Sequence, residues 1–129
     1  MKIIIDTNIL LSAILGNNSA VELINYSDYQ FYASPQIIDE YRKLIRREKF
    51  KLSTERIEFW DSFISEKFLI TKTHNKIKLS RDYQDAKFIE LANEINADFL
   101  ITSDKKLLNA TNYTKTKIIK LEYFKSLEF

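Results

Sequence analysis

Two short apolar runs in this chain are each delivered to an aspartate, and they constrain the fold more than anything else in it. Ile3-Ile4-Ile5 runs directly into Asp6, and Phe99-Leu100-Ile101 runs through Thr102-Ser103 into Asp104. Apolar runs this short, bounded by polar residues, read as strands buried on both faces, which is the habit of parallel sheets. Ligands of such sheets gather at the carboxyl ends of the strands. Two carboxylates carried to that edge can share a cation, and together they point to a metal-dependent site.

The rest of the chain alternates in the way a parallel sheet requires. Lys2 to Asp6 reads as the first strand, Gln30 to Ala33 as the second, Phe68 to Thr71 as the third. Ala97 to Ile101 and Lys117 to Lys120 are the last two. Asn8 to Leu15 has helical character, and Asn18 or Ser19 can cap a helix running to about Tyr26. Ser34-Pro35 is a start signal, serine at the cap and proline at the first helical position, for a helix to about Glu48. Ser53 opens another, with Ile57, Trp60 and Ile64 on one side, and Asp82 caps a helix from Tyr83 to Ile95. A short helix follows Asp104. Strands alternating with helices give an α/β fold with a central parallel sheet covered on both faces.

No repeat, low-complexity tract or linker divides the 129 residues, so positions 1–129 read as a single domain. Absence of cysteine excludes disulfides, thiolate zinc sites and thiol nucleophiles. The one glycine, Gly16, excludes phosphate loops and dinucleotide fingerprints, which need several where backbone meets phosphate. No apolar run approaches the roughly 20 residues of a membrane helix. The chain enters a strand at its second residue, which predicts no secretory leader and a cytoplasmic location. A net charge of +2 neither demands nor forbids a polyanionic partner.

Eighteen residues are acidic, and helical geometry sorts them. After Pro35, the apolar stripe is Ile37, Ile38, Tyr41, Leu44 and Ile45; Glu40 lies on its shoulder and Asp39 on the opposite side. Asp85 falls within the arc of Phe88, Ile89, Leu91, Ala92 and Ile95, where a carboxylate is usually paired or bound to metal, the alternative being an anion favoured by the helix start. Asp82 is most simply a helix cap. Asp6, Glu40, Asp85 and Asp104 all occupy strand ends or early helical turns, positions that converge at the carboxyl edge. Asn8, Thr102 and Ser103 stand beside them as neutral hydrogen-bonding groups.

Hard oxygen ligands, with no cysteine and a single histidine, select Mg²⁺ or Mn²⁺ over zinc or copper. Such an ion suits phosphodiester hydrolysis. His74 sits in a polar loop and reads as surface. Arg42, Lys43, Arg46, Arg47, Lys49 and Lys51 form a dense basic run, and Lys105 and Lys106 follow Asp104 directly. Cations that begin beside the acids suit a phosphate backbone.

These residues resemble the PIN domains, and within them the small prokaryotic group of VapC-like ribonuclease toxins. The carriers are Ile5-Asp6-Thr7-Asn8, Glu40 after Ser34-Pro35, the run from Arg81-Asp82-Tyr83-Gln84-Asp85 to Ala92, Ala97 through Asp104, and the closing strand Lys117-Ile118-Ile119. The resemblance implies a three-layer α/β/α sandwich and a Mg²⁺- or Mn²⁺-dependent ribonuclease. Its metal-binding acids map onto Asp6, Glu40, Asp85 and Asp104, supported by Asn8, Asp82 and the hydroxyl residues Thr102 and Ser103. It implies an antitoxin partner and a homodimer, while the basic run itself makes Arg42, Lys43, Arg46, Arg47 and Lys105 the candidate RNA contacts. Two positions depart from such relatives: Tyr83 stands where proline is frequent, and Lys106 where a further acid is frequent.

Other enzymes that begin from a strand-end aspartate fit less well. A haloacid-dehalogenase-like phosphatase wants a second aspartate where Asn8 stands, and a phosphoacceptor receiver wants an acid adjacent to Asp6. A PIN-like module that binds RNA or protein without cleaving is the remaining alternative.

Overall fold

A computed structural model describes residues 1–77 and 83–127, apart from the side chains of 83–85. Its first half runs β1 (Lys2–Ile5), α1 (Thr7–Ile14), α2 (Asn18–Asn25), β2 (Gln30–Ala33), α3 (Pro35–Ile45) and a 3-10 turn (Glu48–Phe50). Then come α4 (Thr54–Lys67), β3 (Phe68–Ile70), α5 (Tyr83–Ile95), β4 (Phe99–Ile101) and α6 (Lys105–Leu108). A second 3-10 turn (Thr111–Tyr113), β5 (Lys117–Ile119) and α7 (Leu121–Ser126) close the chain.

Among these residues the strands form one parallel sheet in the order β3-β2-β1-β4-β5. Ile3, Ile4 and Ile5 are all 0% exposed, as a central strand covered on both faces requires. The chain steps outward from β1 to β2 and β3, then returns to the far side of β1 for β4 and β5. Right-handed crossovers turn that reversal into helices on opposite faces. Side chains agree. Ile3 lies opposite Phe31 and Phe99, and Phe31 opposite Phe68, so these project from one face. On that face Phe68 meets Tyr41 of α3, and Phe99 meets Phe124 of α7, each with ring centres 5.1 Å apart. Lys2 points to the other face, where its Nζ donates to the Ile95 carbonyl at the end of α5 at 3.1 Å. The three-layer α/β/α arrangement expected from the sequence is present.

Three local expectations are corrected. The helix after Pro35 stops at Ile45, not near Glu48, because the Arg46 and Arg47 amides bond three residues back, to Lys43 and Leu44 at 3.2 Å, and tighten the turn. The cap of α2 is Asn17, whose Oδ1 accepts from the Ala20 amide at 3.0 Å, ahead of Asn18 or Ser19. Helix α7 was not anticipated; at 6 residues, with Leu121 and Phe124 buried, it is too short to show a period. Asp82, the expected cap of α5, lies outside the described residues. Among the described residues no helix is long and apolar enough to cross a membrane.

Candidate active site

Parallel strands all finish at one rim, and the rim collects the expected acids. Asp6 follows β1 directly, and its amide still donates to the Ile101 carbonyl of β4 at 3.0 Å. The ladder therefore fixes Asp6 against the end of β4. There Thr102, fully buried, donates its hydroxyl to Asp6 Oδ2 at 2.7 Å and accepts the Asp104 amide at 3.0 Å. One hydroxyl thus orients the carboxylate of one expected ligand and the backbone of another. Asp104 caps α6, accepting from the Lys106 amide at 3.3 Å, and is partly exposed.

Glu40 arrives from the other side. Ser34 ends β2 and caps α3, its Oγ accepting from the Ile37 amide at 3.3 Å. Six residues into that start, Glu40 reaches the rim with its side chain 29% exposed. One carboxylate oxygen accepts from the Thr7 hydroxyl, and the other meets Lys87 Nζ at 3.0 Å. The next residue of α3, Tyr41, is fully buried and donates its hydroxyl to the Ile5 carbonyl at 2.5 Å, tying α3 to the strand end that carries Asp6. Burial holds the Tyr41 phenol well above its ordinary pKa, and the negative charges of Asp6 and Glu40 push it the same way. It stays a donor.

Asp6 is only 6% exposed. Its pKa is raised, first by burial and then by the nearby charges of Asp104 and Glu40; the Thr102 hydroxyl and the Thr7 amide oppose that shift. A buried carboxylate that meets only neutral donors among the described residues, with two acids beside it, is the setting a cation relieves. The donors are all oxygens, as a hard divalent ion prefers. Among the described residues no three acidic side chains form a finished cation cage, since Glu40 is turned to Lys87 and Thr7.

Asp85 lies in the first turn of α5 by its backbone, and its side chain is outside what is described. Lys87, one half-turn on, places that end of α5 beside Glu40. Asn8 is exposed in the first turn of α1. Ser103 is also exposed and lines a cleft of about 340 Å³ with Ser12, Asn17 and Glu122.

The expected phosphate-contacting cations differ in their surroundings. Lys105 is exposed directly after Asp104. Arg42 Nε and Arg46 Nη2 both engage Asp61 of α4, at 3.2 and 3.0 Å. Lys43 pairs with Asp39 at 3.0 Å, and Arg47 is exposed. At 1.5 Å of rise per residue, Arg46 and Arg47 stand roughly 10 Å down the helix from Glu40.

Lys87, Thr7 and Tyr41 were not singled out as site residues from the sequence. Thr7 and Lys87 sit inside the recognised motifs, yet their common partner, Glu40, is 33 and 47 positions away. Only Tyr41 gave a local signal, as a polar-tipped ring in the apolar stripe beside Glu40.

The fold and site define an all-parallel α/β sandwich that gathers carboxylates at the carboxyl rim of its sheet. Comparison supplies the family: residues 2–106 match the PIN domain model, and the chain belongs to that family, whose members are generally metal-dependent nucleases. It is 30% identical over 123 residues to the uncharacterized protein MJ1680 of Methanocaldococcus jannaschii, covering 89% of this chain and 78% of that one. The fold is similar to VapBC2 from Rickettsia felis, solved bound to a DNA fragment from their promoter, with a TM-score of 0.62 and 18% identity over 93% of this chain and 98% of that one. It is also similar to PAE2754 from Pyrobaculum aerophilum, with a TM-score of 0.60 and 14% identity over 96% and 86% of the two chains.

Proposed function

We propose that the protein is a Mg²⁺- or Mn²⁺-dependent ribonuclease that hydrolyses RNA phosphodiester bonds. The observation that carries this reading is buried Asp6, with Asp104 and Glu40 near enough to raise its pKa, on a PIN-family chain. Asp6, Glu40, Asp85 and Asp104 would hold the cation, with Asn8, Asp82, Thr102 and Ser103 in support. When bound, such an ion supplies Lewis acidity toward a phosphoryl oxygen and an acidified water.

The chain's own residues do the rest by placement. Thr102 keeps the Asp6 carboxylate aimed along the rim, and Tyr41 holds the end of β1 in position for it. Lys105 offers an exposed cation next to Asp104, suited to a backbone phosphate. Lys43 and Arg47 extend that contact, while Arg42 and Arg46, engaged by Asp61, add positive field more than direct contact.

The likeness to VapBC2 supports a role as the toxin of a toxin–antitoxin pair with a cognate antitoxin; a homodimer and a cytoplasmic location complete the proposal. The test incubates purified protein with structured and unstructured RNA in Mn²⁺, Mg²⁺ or chelator, beside an Asp6→Asn control. Cleavage that needs metal and disappears in the variant is expected. If no RNA is cut and Mn²⁺ fails to bind, the protein is a binding module and the nuclease reading falls.

A further inference from the structure

The acid site contains a cation of its own. Lys87 Nζ lies 3.0 Å from Glu40 Oε1, and the two side chains are 18% and 29% exposed. Most surface ion pairs are looser and more solvated than this, and contribute little. Here the ammonium is shielded, and its partner Glu40 is one of the carboxylates that raise the pKa of Asp6.

We propose that Lys87 is the resident counter-ion of the site: it holds Glu40 at the rim when no divalent cation is bound, and it lowers the affinity for that cation. The inference rests on the metal-dependent reading above and adds to it a threshold. Carboxylates brought together without a cation repel one another, and a positive side chain within reach relieves part of that repulsion. The same charge opposes an incoming divalent ion, because both positive groups seek the same carboxylate oxygens. Glu40 has both of its oxygens engaged, one by Lys87 and one by the Thr7 hydroxyl, so an incoming ion competes with both for its lone pairs. Lys87 is a positioning residue in this account, acting through Glu40. Under it, the enzyme responds to cation concentrations higher than the bare acids would require.

Mn²⁺ binding by calorimetry, with thermal melts in chelator, tests this on the full chain without reference to cleavage. Lys87→Gln keeps a hydrogen-bond donor of similar reach and removes the charge; it should bind Mn²⁺ about three- to tenfold tighter, as expected for loss of one partly screened like charge. In chelator it should melt below the wild type. Lys87→Arg retains the charge and should bind Mn²⁺ as the wild type does, its chelator melt showing that it is folded. On a Glu40→Gln background the gain from Lys87→Gln should shrink, since part of it runs through that contact.

Unchanged or weaker binding in Lys87→Gln overturns the inference and leaves Lys87 a mere hydrogen-bonding prop. Tighter binding in Lys87→Arg overturns it as well, and so does a gain that Glu40→Gln leaves undiminished. Failure of the wild type to bind any Mn²⁺ removes the metal reading itself, and the threshold with it.

Discussion

Asp6 is a residue whose burial works against its charge. Its folded pKa lies above the value it has in the unfolded chain, so between those two values the folded state holds more proton. Stability from this group is present below the ordinary carboxylate range and is lost as pH rises through the raised value. In chelator, Asp6→Asn should therefore melt higher than wild type at pH 7 and at the same temperature at strongly acidic pH; a calorimetric pH series checks the sign. Added Mn²⁺ should reverse the order at pH 7. Thr102 carries the complementary prediction. Thr102→Val preserves shape but removes the donor to Asp6 and the acceptor for the Asp104 amide, both buried or nearly so. A loss of about 1–3 kcal/mol in urea unfolding is expected from leaving such groups unsatisfied, with metal-dependent cleavage falling alongside.

At the scale of elements, α3 decides where Glu40 stands. Its start is set by Ser34, fully buried and bonded to the Ile37 amide, and its seat by the Tyr41 hydroxyl on Ile5. Ser34→Ala should lower stability by about 1 kcal/mol through the lost cap. Tyr41→Phe should lower it by about 1–3 kcal/mol, by leaving the Ile5 carbonyl unpaired, and should weaken Mn²⁺ binding more than a cap loss does, because it frees the strand end itself. The sequence made α3 legible because Ser34-Pro35 and the Ile37–Ile45 stripe are local signals. It likewise showed β1 and β4, whose apolar runs need no partner to be read. The strand order, with β1 and β4 side by side, could not be read locally, since the pairing of Ile5 with Ile101 is settled only by packing. The pairing of Lys87 with Glu40 was hidden for the same reason, and α7 was simply too brief. The acids Asp6, Glu40 and Asp104 do share the rim, as their positions at strand ends and early turns suggested.

For the molecule as a whole, the reading predicts linkage between metal and folding. A ligand that binds only the native state stabilises it by mass action, about 2.7 kcal/mol at a hundredfold excess over Kd. Mn²⁺ should accordingly raise the melting temperature, chelator should return it, and Asp6→Asn should abolish the rise. The pairing of β1 with β4 has one more consequence. Asp6 and Thr102 are 96 residues apart, so the rim closes only after the chain has left the ribosome as far as Thr102. A nascent chain holds Asp6 with no Thr102 to orient it, and Glu40 before Lys87 has been made. On the ribonuclease reading proposed above, translation itself then acts as a safety catch: the chain stays unarmed while it is still tethered to the message and machinery that are making it.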